Sequence, residues 1–244
     1  MSTVERGTSM SNVLFTADLY RIVKQALAFA EHDKVLAYTG EAKSYHQVHL
    51  TSFGENLLSV ATDGKAMGVS KAKWITELSK PCDIPSPSQF DNQPGPVFGL
   101  NVSLDDAKEL IRLSRTLKSD RWTRTVAVNP AGNYAEFVFS SGETLTAMDT
   151  DVYFPRWQAL FPESTEGVPR AVTGLNPKQI AKFAVVVEDS PMVLVTRDDV
   201  HGKSQKSILV TIGDAFIGVI MPVNLRDGTS EQPQWHRPNW IGAL

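Results

Sequence analysis

Three times along its length the sequence runs through one order of elements, and this repetition limits the available folds more than any single motif. The first pass opens with VLFT, an amphipathic stretch from Asp18 to His32, then YHQVHLTSF, NLLSVATDG and AMGVSKAKW. The second opens with PVFGLNV, an amphipathic stretch from Leu104 to Lys118, then TRTVAVN, YAEFVFSSG and ETLTAMD. The third has VPRAVTGL, a short stretch from Pro177 to Ala184, then MVLVTR, SILVTIG and FIGVIMPV. Each reads strand, helix, strand, strand, strand, because alternation and β-branched residues bounded by Gly, Asn and Asp mark extended chain. YAEFVFSSGETLTA and FGENLLSVATDG read as hairpin halves joined at Gly-containing turns. The expected class is α+β, built from βαβββ repeats.

Helix starts are marked by chemistry. Thr16 reads as an N-cap, with Asp18 near the positive end of the helix dipole. Ser103 and Asp106 form an S-x-x-D variant of the capping box. Asn176-Pro177 is a cap followed by proline at the first helical position, where its missing N–H leaves no bond unmade. Pro-rich residues 80–96 read as a connector between the first two repeats, and residues 161–169 as one before the third.

Composition excludes several classes. A chain of 244 residues with 42% hydrophobic and 21% charged content is ordinary for a soluble globular protein of one large or two small domains. Its single cysteine, Cys82, allows neither an internal disulfide framework nor a Cys-based zinc cluster, and points to a reducing, cytoplasmic setting. The polar start MSTVERGTSMSN has no signal-like apolar run, and no window is apolar enough to cross a membrane. Residues 1–12 are expected to be a disordered tail. Residues 226–244 form a Pro-containing tail whose Trp235 and Trp240 either dock on the body or engage a partner.

The net charge of -3 argues against nucleic acid only until the charge is located. At 100° per residue, Lys108, Arg112 and Arg115 share one side of their helix, opposite Leu110, Leu113, Ser114 and Leu117. Arg21 and Lys24 flank Gln25 and Ala28, opposite Leu19, Val23, Ala26 and Leu27. Lys178 and Lys182 share a side, opposite Ile180, Phe183 and Ala184. One such face is an ordinary solvated surface. Three equivalent basic faces would attract phosphates without reading sequence. No aromatic interleaves them, so a base-stacking platform is not expected.

Catalytic signatures are lacking. There is no phosphate-cradling Gly-rich motif, and His32, His46, His49, His201 and His236 have no metal-ligand spacing. His46 and His49 fall on opposite faces of a strand, while Asp149 and Asp151 read as solvated positions and Asp198-Asp199 as a turn. No catalytic residue, metal site or cofactor is expected, so the chain reads as a non-enzyme.

LLSVATDGKAMGVS (57–70), VYFPRWQALFP (152–162) and FIGVIMPVNL (216–225) resemble, in order and spacing, the bacterial DNA polymerase III beta sliding clamp family. The resemblance covers roughly residues 13–225. It implies the DNA-clamp (processivity) fold, with antiparallel sheets outside and helices on the inner face of a ring around double-stranded DNA. Arg21, Lys24, Lys108, Arg112, Arg115, Lys118, Lys178 and Lys182 are then the DNA-binding candidates. It also implies a pocket for a short linear peptide of a polymerase or other replication protein. That pocket takes Thr62, Gly64, Lys65, Ala66 and Met67 from the turn, Pro155, Ala159 and Leu160 from the FP segment, and Val219, Met221, Pro222 and Val223 from the last strand. Lys65-Ala66 and Gln158-Ala159 stand where the family usually carries basic residues.

Family chains have three domains of two repeats. The repeats here imply a two-repeat domain at 13–160 and a lone half domain at 161–225. A lone half exposes a sheet edge and half a core, so self-association is expected, either four chains closing a ring or two pairing their lone halves. Two functions follow. One is a reduced, phage-encoded sliding clamp that encircles or associates with DNA as a polymerase processivity factor. The other is a clamp-derived interaction protein that binds replication partners or a host clamp without encircling DNA.

Overall fold

The opening strands of the first two repeats are exchanged. The computed structural model describes residues 12–32, 44–75, 98–115, 120, 123–161, 173–186, 190–196 and 207–223. The first repeat holds β1 (Asn12–Phe15), α1 (Thr16–Leu27), β2 (Gln47–Phe53), β3 (Asn56–Thr62) and β4 (Ala66–Lys73). The second holds β5 (Gly99–Ser103), α2 (Leu104–Ser114), β6 (Thr125–Ala131), β7 (Tyr134–Phe139) and β8 (Thr144–Met148). β1 pairs antiparallel with β6 in the sheet β1-β6-β7-β8, while β5 pairs with β2 in the order β5-β2-β3-β4. The registers are equivalent, since the residue before each helix faces the first residue of its partner strand. Phe15 stands opposite Thr125, and Ser103 opposite Gln47. Neither sheet is complete without a strand from the other repeat.

The third repeat holds α3 (Pro177–Ala181), a 3-10 turn (Lys182–Val185), β9 (Met192–Val195), β10 (Ile208–Ile212) and β11 (Phe216–Ile220). Its expected opening strand is reduced, among the described residues, to a bridge between Gly174 and Val223. The chain divides into two compact units, Met1–Pro155 and Arg156–Leu244.

One hydrogen bond recurs in all three repeats. Ile75 N donates to Val13 O (2.8 Å), Thr150 N to Asn101 O (2.9 Å), and Val223 N to Gly174 O (2.9 Å). Each acceptor lies two residues before its helix N-cap, namely Phe15, Ser103 and Asn176. The segment leaving the last strand of each repeat therefore returns to the strand that opened it.

Helical spacing explains the core. Leu19, Ile22, Val23 and Ala26 of α1 and Leu104, Ala107 and Leu110 of α2 are buried, each set on one side of its helix. The helices pack against each other, α1 lying on β3 and β4, and α2 on β2 and β5. In the other sheet Val126 and Val128 alternate inward, as do Ala135, Phe137 and Phe139. Each large apolar side chain buried this way contributes roughly 1.5–3 kcal/mol.

The helix ends differ from expectation in places. Ser103 Oγ accepts from Asp106 N (3.0 Å), and Asn176 Oδ1 accepts from Lys178 N (2.9 Å). Thr16 is not a cap. It is the first residue of α1, and both its N–H (3.0 Å) and its hydroxyl (3.2 Å) donate to Arg124 O. Because β1 runs directly into α1, the carbonyl of Arg124, just before β6, satisfies the first amide instead. Helix α1 stops at Leu27 rather than at His32, and α2 stops at Ser114 with Arg115 extended (ψ 114). Asn12 belongs to buried β1, whereas residues 1–11, Cys82, the Pro-rich connector 80–96 and the 226–244 tail lie outside the described residues.

A polar cluster holds the segment that leaves β8. Gln47 Nε2 donates to Val152 O (3.3 Å) and Asn101 Nδ2 donates to the same oxygen (3.1 Å), while Thr150 Oγ1 donates to Gln47 Oε1. Asp149 is not merely solvated, since its carboxylate accepts from Asn101 N (3.0 Å) and Asp151 N (2.7 Å). His49 bonds Asn101 Oδ1 through Nδ1 (2.8 Å) and stacks on Phe154 with ring centroids 5.0 Å apart. Burial holds the His49 pKa below its ordinary value of 6.5, outweighing the opposing effects of the Asn101 bond and the Asp149 charge.

This packing has measurable consequences. A Cβ on Gly68 would lie 2.5 Å from Cδ2 of buried Phe29. Gly68→Ala is therefore expected to destabilise the protein by about 1–3 kcal/mol in urea unfolding, and an unchanged midpoint would contradict this packing. Folded His49 keeps its neutral form to lower pH than the unfolded residue, which takes a proton near 6.5. Its contribution is complete above that pH and is lost as pH falls toward the depressed folded value. His49→Phe keeps a ring on Phe154 and should flatten the loss of stability below 6.5. Equal pH slopes for the two proteins would refute it.

Candidate nucleic-acid interface and peptide groove

Amphipathic helices whose apolar side is buried leave their long cationic side chains at the outer surface, and the partners of those side chains decide how free they are. Lys24 and Arg112 occupy equivalent places, each nine residues after its N-cap (15 to 24, 103 to 112). Arg21 and Lys182 are also equivalent, six residues after Phe15 and Asn176. Two helix positions thus carry a cation in more than one repeat.

Their environments differ. Lys24 is exposed, its ammonium 5.3 Å from the Tyr20 ring centroid. That contact corrects the expectation of a face free of aromatics, and the i,i+4 spacing of Tyr20 and Lys24 carried the signal. Arg21 is drawn inward, with only 24% of its side chain exposed. Its Nη2 donates to Lys71 O (2.9 Å) and lies 3.5 Å from Asp18, and its Nη1 is buried without a hydrogen-bond partner. Gln25, expected beside it on the outer face, is buried, because it lies three residues from Ile22 on the inward edge of the helix.

On α2 the cations pair within their own helix. Lys108 Nζ lies 3.0 Å from Asp105, and Arg112 binds Glu109 through both Nε and Nη2, the shortest contact being 2.6 Å. Hydrogen bonding to Glu109 raises the Arg112 pKa, and the same bond to Arg112 lowers that of Glu109. Arg112 is exposed and Glu109 partly so, and water and salt screen the pair. An anion of higher charge density, such as a phosphate, can replace Glu109 on the guanidinium fork. Arg115 and Lys178 are exposed, Lys182 is half-buried, and Lys118 lies outside the described residues.

The peptide-pocket residues fall in both units and are described within each. In the first, the turn between β3 and β4 is locked by its own side chains. Thr62 Oγ1 donates to Ala66 O (2.8 Å), and Asp63 Oδ1 accepts from Lys65 N (2.9 Å) and Ala66 N (2.8 Å). Gly64 holds the left-handed conformation this turn needs (φ 81) and sits against the Tyr45 ring. Thr62, Ala66 and Met67 are buried, leaving Gly64 and Lys65 as the exposed part, while Pro155 is half-buried.

In the second unit, Trp157–Leu160 forms a 3-10 turn, with Trp157 buried and Ala159 and Leu160 exposed. Val219 is buried in β11, Pro222 is half-buried, and Met221 (50%) and Val223 (42%) are exposed. Leu160, Met221 and Val223 are thus apolar anchors open to solvent. Among the described residues no group of three or more His, Cys, Asp or Glu side chains is placed to hold a metal ion.

No protein-family model matches the sequence, and no curated protein matches it. Solved structures do resemble the fold. The DNA polymerase sliding clamp from Pseudomonas aeruginosa, crystallised with a ligand, superposes with a TM-score of 0.60 at 17% identity, covering 92% of this chain and 69% of that one. The DNA polymerase III subunit beta from the same organism gives 0.59 at 17% identity over 92% and 69% of the chains. The sliding clamp from Bacillus subtilis gives 0.60 at 14% identity, over 93% of this chain and 67% of that one. Exchanged opening strands and antiparallel sheets backed by helices, with superposition over nine-tenths of the chain, give it the fold of the bacterial DNA sliding clamps.

Proposed function

We propose that the chain is a phage-encoded sliding-clamp-type processivity factor. It self-associates around double-stranded DNA, binds it without regard to sequence, and docks a polymerase or other replication protein through a short linear peptide. The observation that carries this reading is the recurrence of cations at equivalent helix positions, Lys24 with Arg112 and Arg21 with Lys182, on a clamp fold. Two repeats make up residues 13–160 and a third residues 161–225 in this scheme. No described helix is long and apolar enough to cross a membrane. A cytoplasmic site of action agrees with the single cysteine.

The chemistry suits sliding. Exposed cations on flexible stems attract phosphates, while i,i+3 ion pairs on α2 moderate that attraction, so DNA is held loosely. The same ion pairs, together with the burial of Arg21, favour a second reading in which the chain occupies clamp-binding partners, or pairs with a host clamp, without encircling DNA. Leu160, Met221 and Val223 serve either reading, since apolar anchors of a linear peptide need exposed apolar surface.

Charge reversal separates the two. Arg112→Glu with Arg115→Glu should abolish stimulation of the polymerase and leave peptide binding intact. The salt slope of DNA binding should fall by about 0.9 for each phosphate that is no longer neutralised. Unchanged stimulation and slope would favour the second reading. Met221→Asp should weaken peptide binding at least about tenfold in a fluorescence titration, as expected when an apolar anchor is removed, and unaltered affinity would exclude Met221 from the groove.

A further inference from the structure

In the first unit every opening strand is bonded on both edges. β5 pairs with β2 along one edge and bridges Asp149 along the other, while β1 pairs with β6 and accepts from Ile75 N. Among the described residues, the opening segment of the third repeat has the second of these bonds alone, Val223 N to Gly174 O. The strand that corresponds to β2 and β6 is β9, and among the described residues of its unit β9 is paired along one edge, to β10. Met192 (39%), Val193 (49%) and Leu194 (38%) are exposed large apolar residues on consecutive positions of that strand.

The helix supplies an independent observation. Four and eight residues after its N-cap, α1, which packs against α2 and the sheet, carries Leu19 and Val23, both buried. At the same places in the third repeat stand Ile180, half-buried, and Ala184, exposed. Among the described residues, the third repeat thus leaves the β9 edge unpaired and these two helix positions more exposed than their counterparts in the first.

We propose that the open edge of β9 takes the opening segment of a second copy of this chain, and gives its own in return. This deepens the clamp reading, on which it rests for the expectation of self-association. Reciprocity follows from the exchange already present between the first two repeats, which is itself mutual and uses equivalent registers on both sides. Carrying that register over sets Asn176 of the second copy opposite Met192, Leu175 opposite Val193 and Gly174 opposite Leu194. Neither Thr173–Asn176 nor Met192–Val195 holds a charge, so no like charges face each other across these residues.

The test uses the whole 244-residue chain. Sedimentation velocity should show a concentration-dependent dimer of the 26.8 kDa chain or a multiple of it. Val193→Lys with Leu194→Lys, which charges an exposed edge, should lower the mass to that of the monomer while the circular dichroism spectrum stays unchanged and the melting temperature loses its dependence on protein concentration. In a Cys82→Ser background, Leu175→Cys with Val193→Cys should give a covalent dimer under mild oxidation, and neither single cysteine should. A monomer at every concentration overturns the proposal, as does an oligomer indifferent to the lysines or an absence of crosslink. An oligomer abolished by removing residues 226–244, yet indifferent to the lysines, overturns it in favour of the tail as occupant. A β9-dependent dimer that fails to stimulate polymerase would sink the clamp reading and leave this one standing.

Discussion

The first unit depends on the antiparallel pairing of β1 with β6 and of β5 with β2. Each opening strand completes the sheet of the other repeat, so the two can form only together. The pairing joins distant parts of the chain, and its chain-entropy cost is offset by burying α1 and α2 between the repeats. It also fixes where the helices start. The ladder from β1 runs directly into α1, whose first amide bonds Arg124 O just before β6. Every cation on α1 and α2 is oriented by that arrangement.

The exchange gives the helical surface its character. Because the apolar side of each helix is committed to the core, the opposite side carries the charge, and equivalent positions repeat it. The charges are then moderated individually. Arg21 bonds a backbone carbonyl, Lys24 lies over Tyr20, and Lys108 and Arg112 pair with carboxylates one turn away. A surface that held phosphate too firmly would stop a clamp from moving, and exposed pairs of this kind exchange readily with salt and phosphate. A net charge of -3 is compatible with such a surface because the acids pair with its cations or lie elsewhere.

Much of this is legible in the sequence because repetition is a pattern and patterns survive substitution. The order of strands and helices, the caps at Ser103 and Asn176, and the buried sides of α1 and α2 all follow from local rules. The strand exchange is not legible, since no local rule says which repeat an opening strand joins. Thr16 resembles a cap in sequence for the same reason, because its partner Arg124 is brought there only by the exchange. The roles of Asp149 and His49 stay hidden because hydrogen bonding to Asn101 and stacking on Phe154 arise only once β2, β5 and the segment after β8 are assembled. Helical spacing locates the cations but cannot show that Arg21 turns inward, or that Ala66 and Met67, expected in a peptide pocket, are buried.

On the proposed reading, this chain assembles into a closed structure around duplex DNA. This assembly is tested most directly by retention on a nicked circular plasmid, compared with the same plasmid linearised, during gel filtration. If the protein is a clamp, it co-elutes with the circle and escapes from the linear molecule through its ends. Equal retention on both forms, or retention on neither, would contradict a topological hold.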